Sequence, residues 1–398
     1  MTMVDAAREA DPLELDSFFQ RSLPVSRRPA DELLERLAAV VREVDPSVCS
    51  EPVAGLAALR DLDFLLCSVH RARPAAYKEV TGLEELLGAL GEAAGHNPRG
   101  SNTTYALCNP LDQRMRLFTG LPEERMFINE LAAGLRGLDD VLRGLIAIVD
   151  HGVDSAEAAA AAETLVPAWE PMIGATVAML RSMPPEVFSG EIMTSFIPLD
   201  IAGTEYQGVT GAQNLNIGID WLLWGAGSTN PSYTSYARTN LSEQLPAHID
   251  LIANVLDRTR GATLLDHLER QLRHGPVADW AAADRVLLHL EGLLRRIGSF
   301  RAAHRRLADL NLPLRYTPTG SGGHTIDLLD ELADATRQAR QRVQALRDLV
   351  RERGGSAVSA VSAVSTDAAA PPPAPRQRRA GDQVRPLTCP PQESRRRT

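Results

Sequence analysis

Apolar side chains recur at steps of three and four along most of the chain, and the two-residue alternation that marks strands is scarce. Residues three and four apart share one face of a helix, so this pattern commits the chain to burying helix against helix. Between Asp31 and Val44 the apolar set is Leu33, Leu34, Leu37, Val40, Val41 and Val44. Longer helical stretches are predicted at 123–151, 156–183, 212–225, 242–258, 279–311 and 325–352. Pro184 and Pro185 end one of them, because proline lacks an amide hydrogen and clashes with the preceding turn. The segment from Ile197 to Gln207 is the best candidate for extended structure. The expected fold class is all-α.

The chain has 398 residues, 44% of them hydrophobic, enough to bury a sizeable core. After Gly354 the character changes: a Ser-Ala-Val triplet repeats from Ser356, and alanine, proline and arginine then dominate to Thr398. Such a stretch buries too little apolar surface to offset its ordering entropy. The expected organisation is one folded unit, 1–354, and a disordered tail, 355–398. A net charge of −9 argues against a general nucleic-acid binder, which needs a basic face to displace counterions. Cys49, Cys67, Cys108 and Cys389 form no CxxC pair, which disfavours a disulfide scaffold or zinc site and points to a reducing cytoplasm. No signal peptide and no apolar run of about 20 residues is visible, so a soluble protein without a membrane span is expected.

Within 279–311, Val286, Leu290, Leu293, Ile297, Phe300, His304 and Leu307 fall on one helix face. His304 therefore continues an apolar stripe. It would be a core histidine satisfied by a backbone carbonyl, or a neutral imidazole offered to a metal or haem iron. Arg301, one turn earlier, would be a solvated surface charge or a grip for a carboxylate-bearing cofactor. Two glycine-rich breaks, Tyr206–Gln213 and Thr319–Thr325, each precede a helix and would be linkers or anion-holding turns. Neither is a phosphate-binding P-loop or a dinucleotide fingerprint. His267 and His274 are seven apart but lack an evident third ligand, which disfavours a metal site.

Short matches run in order along the chain: Asp61-Leu-Asp-Phe-Leu-Leu-Cys-Ser68, Asn109-Pro110, Phe118-Thr-Gly-Leu-Pro122, Pro185-Glu-Val-Phe188, Tyr206-Gln-Gly208, Gly211-Ala-Gln213, Asp220-Trp-Leu-Leu-Trp-Gly225, Phe300-Arg-Ala-Ala-His304 and Gly320-Ser-Gly-Gly323. Each is weak alone, but the ordered set resembles the haem-dependent aromatic oxygenase superfamily that includes indoleamine and tryptophan 2,3-dioxygenases. Within it the chain is most similar to monodechloroaminopyrrolnitrin synthase.

The resemblance implies an all-α, indoleamine 2,3-dioxygenase-like fold around haem b, with O2 or peroxide as oxidant and a separate reductant. It implies His304 as the proximal iron ligand, Arg301 as the partner of a haem propionate, and Asp220 in an ion pair with Arg301. Phe64 and Ser68 match catalytic pocket residues on the distal side, four apart on a helix; core packing and a helix-internal hydroxyl are the alternatives. Thr210 and Gly211 fall in a loop lining haem and substrate. Gly322, Gly323 and His324 fall in a glycine-rich loop over the substrate.

One departure stands out: where the relatives carry an arginine after the Pro-x-x-Phe segment, this chain has Met193. A thioether cannot replace the bidentate grip of guanidinium on a substrate carboxylate, although it packs well on an aromatic ring. The activity implied is oxidation at C2 or C3 of the indole of tryptophan or a modified tryptophan, in specialised metabolism. Rearrangement of a tryptophan derivative, peroxide-dependent tyrosine hydroxylation and a non-catalytic haem protein are the alternatives.

Overall fold

Pro52–Ala72 forms a helix whose residues from Gly55 to Val69 are all buried, and the N-terminal half of the chain assembles around it. The structure is a computed structural model that describes residues 2–241, 243–311 and 327–366. Its helices run in the order α1 (Met3–Glu9), α2 (Asp16–Phe19), α3 (Ala30–Glu43), α4 (Pro52–Ala72), α5 (Leu83–Ala94), α6 (Pro122–His151), α7 (Ala156–Ser182) and α8 (Pro185–Val187). After a hairpin of β1 (Leu199–Ile201) and β2 (Thr204–Tyr206) come α9 (Asn216–Leu223), α10 (Pro231–Leu241), α11 (Pro246–Arg258), α12 (Leu264–His274), α13 (Trp280–Asn311) and α14 (Asp327–Thr366). The fold is all-α, as the apolar spacing predicts. Among the described residues no helix is long and apolar enough to cross a membrane.

The strands form where the sequence predicts extended backbone. They pair antiparallel with Leu199 opposite Tyr206, and Ala202 and Gly203 turn the chain with φ of 51° and 79°. Positive φ at both turn residues matches the right-handed twist of the flanking strands. Helices α1, α2, α4, α5, α8, α10 and α12 lie outside the stretches predicted from apolar spacing. For α4 the reason is physical: buried on every side, it shows no apolar stripe.

The long helices α6 and α7 pack along each other, and α7 packs against α13. Ser155 caps α7 by accepting from the Ala158 amide at 3.0 Å, and the helix stops at Ser182 ahead of Pro184 and Pro185. Helix α14 is fastened to α13 by Arg347, which reaches Asp284 at 3.0 Å and Glu291 at 2.9 Å.

Contacts divide the chain into Met1–Gly354 and Gly355–Thr398. Composition predicts no structure from 355 onward, yet α14 continues through Thr366. Extending a helix that is already nucleated fixes one residue per hydrogen bond, and alanine is the best helix former.

Helix α4 buries charge as well as apolar surface, and every buried charge on it is answered. Arg60 donates to the carbonyls of Ala7 and Cys108, each at 2.9 Å, and to the Asp61 carboxylate at 2.7 Å. Asp61 also accepts from Arg116 Nε at 2.9 Å, and Arg116 reaches Asp11 at 3.2 Å. The network clamps the N-terminal segment onto α4. Burial pushes the Asp61 carboxyl up, but Arg60 and Arg116 outweigh it and hold the group below its ordinary value.

Asp61→Ala would leave two buried guanidinium groups without their counter-charge. A loss of about 3–5 kcal/mol of unfolding free energy is expected in urea titration, and a loss under about 1 kcal/mol would refute the clamp. Because the folded-state value is depressed, the carboxylate's contribution is full above the ordinary carboxylate range and fades as pH falls through the folded value. The stability gap between wild type and Asp61→Asn should therefore narrow in acid.

Candidate active site

Along α13 the predicted stripe is buried through Val286, Leu290, Leu293 and Ile297. Its last two turns, carrying Phe300, His304 and Leu307, leave the core and face a cavity of about 300 Å³. The same helical register that buries the first half of the stripe therefore presents His304 to open space. The Phe300 and His304 rings stack with centroids 5.6 Å apart and planes 10° from parallel, while Trp169 backs Phe300 edge-on at 6.0 Å. Stacking fixes the imidazole plane. Among the described residues neither ring nitrogen of His304 has a hydrogen-bond partner.

Arg301 is buried one turn before His304. It donates to the carboxylate of Asp220 on α9 and to the carbonyl of Leu332 on α14, and it lies 5.9 Å from the centre of the Trp224 ring. The Asp220–Arg301 pair implied by the family resemblance is present. Burial pushes the Asp220 carboxyl up against the pull of Arg301. Burial, aided by the Arg301 charge, lowers the pKa of His304 and keeps its imidazole neutral.

Between β2 and α9 the chain passes His304 as a tight loop. Gly208 presses against the Phe196 backbone so closely that a Cβ would lie 2.5 Å from the Phe196 carbonyl carbon, so no larger residue fits. Gln213 accepts from the Thr210 amide at 3.0 Å and from the Asn102 amide at 3.2 Å, and Asn214 donates to the Gly211 carbonyl at 2.5 Å. These bonds hold Thr210 and Gly211 at the cavity wall. A Cβ built on Gly211 would have His304 Nε2 as its nearest neighbour, at 4.0 Å. The glycine thus leaves space beside that nitrogen.

The opposite wall is aromatic. Phe127 on α6 meets Phe188 edge-on at 5.3 Å, and Phe196 lies 6.5 Å from Phe127. Met193 and Glu130 complete this side.

Of the predicted site residues, His304, Arg301, Asp220, Thr210, Gly211 and Met193 all line this one cavity. Phe64 and Ser68 do not. The Phe64 ring stacks on Phe118 at 4.3 Å and neighbours Tyr105 and Phe19 in the core, and the Ser68 hydroxyl donates to the Phe64 carbonyl at 2.7 Å. Burial of α4 on all sides takes both away from the cavity. Gly322, Gly323 and His324 lie outside the described residues. Sequence reasoning missed Asn102, Phe127, Glu130, Phe196 and Tyr236. Of these, Phe127 and Glu130 carried a usable signal, being one helical turn apart on a predicted helix. Among the described residues no group of three or more metal-ligating side chains is found.

Ser68→Ala is expected to shift stability by less than about 1 kcal/mol and to leave the affinity of the cavity for aromatic ligands unchanged in calorimetric titration. A tenfold loss of affinity, about 1.4 kcal/mol, would return Ser68 to the site.

The family model described as monodechloroaminopyrrolnitrin synthase PrnB matches residues 50–357, which span α4 to α14 and every described residue of the cavity. With a match over most of its length, the chain belongs to the PrnB family of enzymes, within the superfamily of indoleamine and tryptophan 2,3-dioxygenase-like proteins.

Proposed function

We propose that the protein is a haem-dependent enzyme that oxidises the indole ring of a tryptophan-derived compound in specialised metabolism. The observation that carries this reading is His304: a neutral imidazole, locked by Phe300, without a hydrogen-bond partner among the described residues, facing a cavity with free space beside Nε2. A neutral imidazole nitrogen that faces open space has its lone pair available to an iron.

The surroundings fit haem b. His304 would ligate its iron, and the remaining N–H groups of Arg301 would hold a carboxylate of the cofactor while Asp220 and Leu332 keep the guanidinium in place. Thr210 and Gly211, which line the cavity beside His304, would help to hold the haem. When bound, haem supplies the activation of O2 or peroxide that protein side chains lack.

The chain's own residues do the rest. Phe127, Phe188, Phe196 and Met193 offer an apolar wall on which a flat ring packs, which orients it and excludes water. No general base is required, because an indole can react at C2 or C3 without prior loss of its N–H proton. The family membership supports a tryptophan-derived substrate, since monodechloroaminopyrrolnitrin synthase is the description of the matching model.

Reconstitution with haemin tests the reading. The loaded wild type should show a Soret band that weakens or shifts in His304→Ala; an unchanged spectrum excludes His304 as ligand. Gly211→Val should lower haem uptake at an unaltered melting temperature, because its side chain would enter the space beside Nε2. Isotopic oxygen from O2 or peroxide should appear in an indole product, and turnover of tyrosine alone would overturn the indole assignment.

A further inference from the structure

The segment Asp61 to Ser68 has no side chain on the cavity wall, yet it is tied to the cavity at one remove through Arg99. That guanidinium is 2% exposed and uses all three of its nitrogens. Nε donates to the Asp63 carboxylate at 3.1 Å and one terminal nitrogen to the Cys67 sulfur at 3.3 Å, both on α4. The other terminal nitrogen donates to the Tyr206 carbonyl at 2.9 Å, where β2 gives way to the loop that passes His304. One side chain thus joins buried α4 to the start of the cavity loop.

Arg99 makes the first of three attachments along that loop. At Gly208 the backbone presses on Phe196. At Thr210 the amide is held by Gln213 and the carbonyl by Asn102. Positions 206, 208 and 210 are therefore fixed from outside, and Gly211, which leaves the space beside His304 Nε2, follows directly. Arg99 and Asn102 come from one short stretch of chain, and that stretch is itself seated on α4. A Cβ on Gly100 would lie 2.6 Å from the Asp63 Cβ and Cγ, so the glycine backbone lies against the Asp63 side chain. A shift of Asp63 would carry Arg99, Asn102 and the loop with it.

A buried ion pair of this kind adds little net stability, because desolvation of both charges cancels most of their attraction. What it adds is position. Burial disfavours the Arg99 charge, but Asp63 outweighs burial and keeps the guanidinium ionised. Its bond to the Tyr206 carbonyl is therefore charge-assisted. We infer that Arg99, anchored by Asp63, is a positioning residue: it sets the place of the 206–211 loop and so keeps open the space beside His304 Nε2. The inference rests on the reading above that an iron occupies that space.

Three variants separate positioning from general stability. Asp63→Asn combined with Arg99→Met removes both charges together and leaves no buried charge unpaired. Arg99→Lys keeps a charge beside Asp63 but gives up the planar fork that reaches Tyr206 as well, and it serves where the double variant does not fold. Asp61→Asn weakens the neighbouring network, whose arginines reach the N-terminal segment instead of the loop. Hydrogen-exchange mass spectrometry on the full chain, before and after haem loading, reads the loop directly. Peptides covering 206–213 should exchange about tenfold faster in the first two variants, the factor for one lost charge-assisted hydrogen bond, and at the wild-type rate in Asp61→Asn. Haem affinity should fall by a similar factor in the first two, with a displaced Soret band. Wild-type exchange in the first two variants overturns the inference, and so does equal loss of protection in Asp61→Asn, which would mark a general loosening. Faster exchange with unaltered haem affinity and Soret band also overturns it, since the loop would then not govern the space beside Nε2. If the wild type takes up no haem, the haem reading falls, while the exchange rates still decide whether Arg99 holds the loop.

Discussion

The guanidinium of Arg301 ties three helices together at the edge of the cavity. It rises from α13, takes the carboxylate of Asp220 from α9 and the carbonyl of Leu332 from α14, and lies near the Trp224 ring. Removing both charges from water is expensive, and their mutual attraction only roughly repays it, so such a pair acts more as a positional device than as a source of stability. Here the position matters because His304 is the next turn of the same helix. Whatever fixes the rotation of α13 at Arg301 fixes the direction in which the imidazole looks.

That direction sets the chemistry open to the imidazole. Burial and the neighbouring guanidinium keep it neutral, so its nitrogen lone pair is available. Phe300 stacks on one face of the ring, and Gly211 leaves the space beside Nε2 unfilled. A core histidine bonded to a backbone carbonyl is the ordinary arrangement for a histidine on an apolar stripe, and it would need none of these features. The loop that carries Gly211 is braced by Gln213, Asn102 and Asn214. Such bracing holds the open space open without help from an apolar core.

Much of this was legible in the sequence because it depends on local spacing. The stripe from Val286 to Leu307 reads directly as one face of α13, and the ordered short matches identify the family over most of the chain. What the spacing could not reveal was where each motif points. The segment Asp61 to Ser68 reads like part of a binding pocket, yet in the fold Asp61 holds Arg60 and Arg116, Asp63 receives Arg99 Nε at 3.1 Å, and Ser68 bonds its own helix. Its partners lie 32 to 55 residues away for Cys67 with Arg99, Asp63 with Arg99 and Asp61 with Arg116, and no local pattern announces such pairings. Glu130 and Asn102 were missed for the converse reason. They sit in unremarkable surroundings and acquire meaning only when α6, the β2–α9 loop and α13 converge.

The two polar regions of the molecule differ in one respect that separates structure from binding. Around α4 the charges form a closed set, in which every buried carboxylate and guanidinium finds its complement within the chain. Such closure is what rigid packing demands, since a half-satisfied buried network is worse than an apolar one. Around the cavity the set is open at His304, whose ring nitrogens have no hydrogen-bond partner among the described residues. The imidazole is therefore best read as the complement of an electron-pair acceptor that arrives from outside.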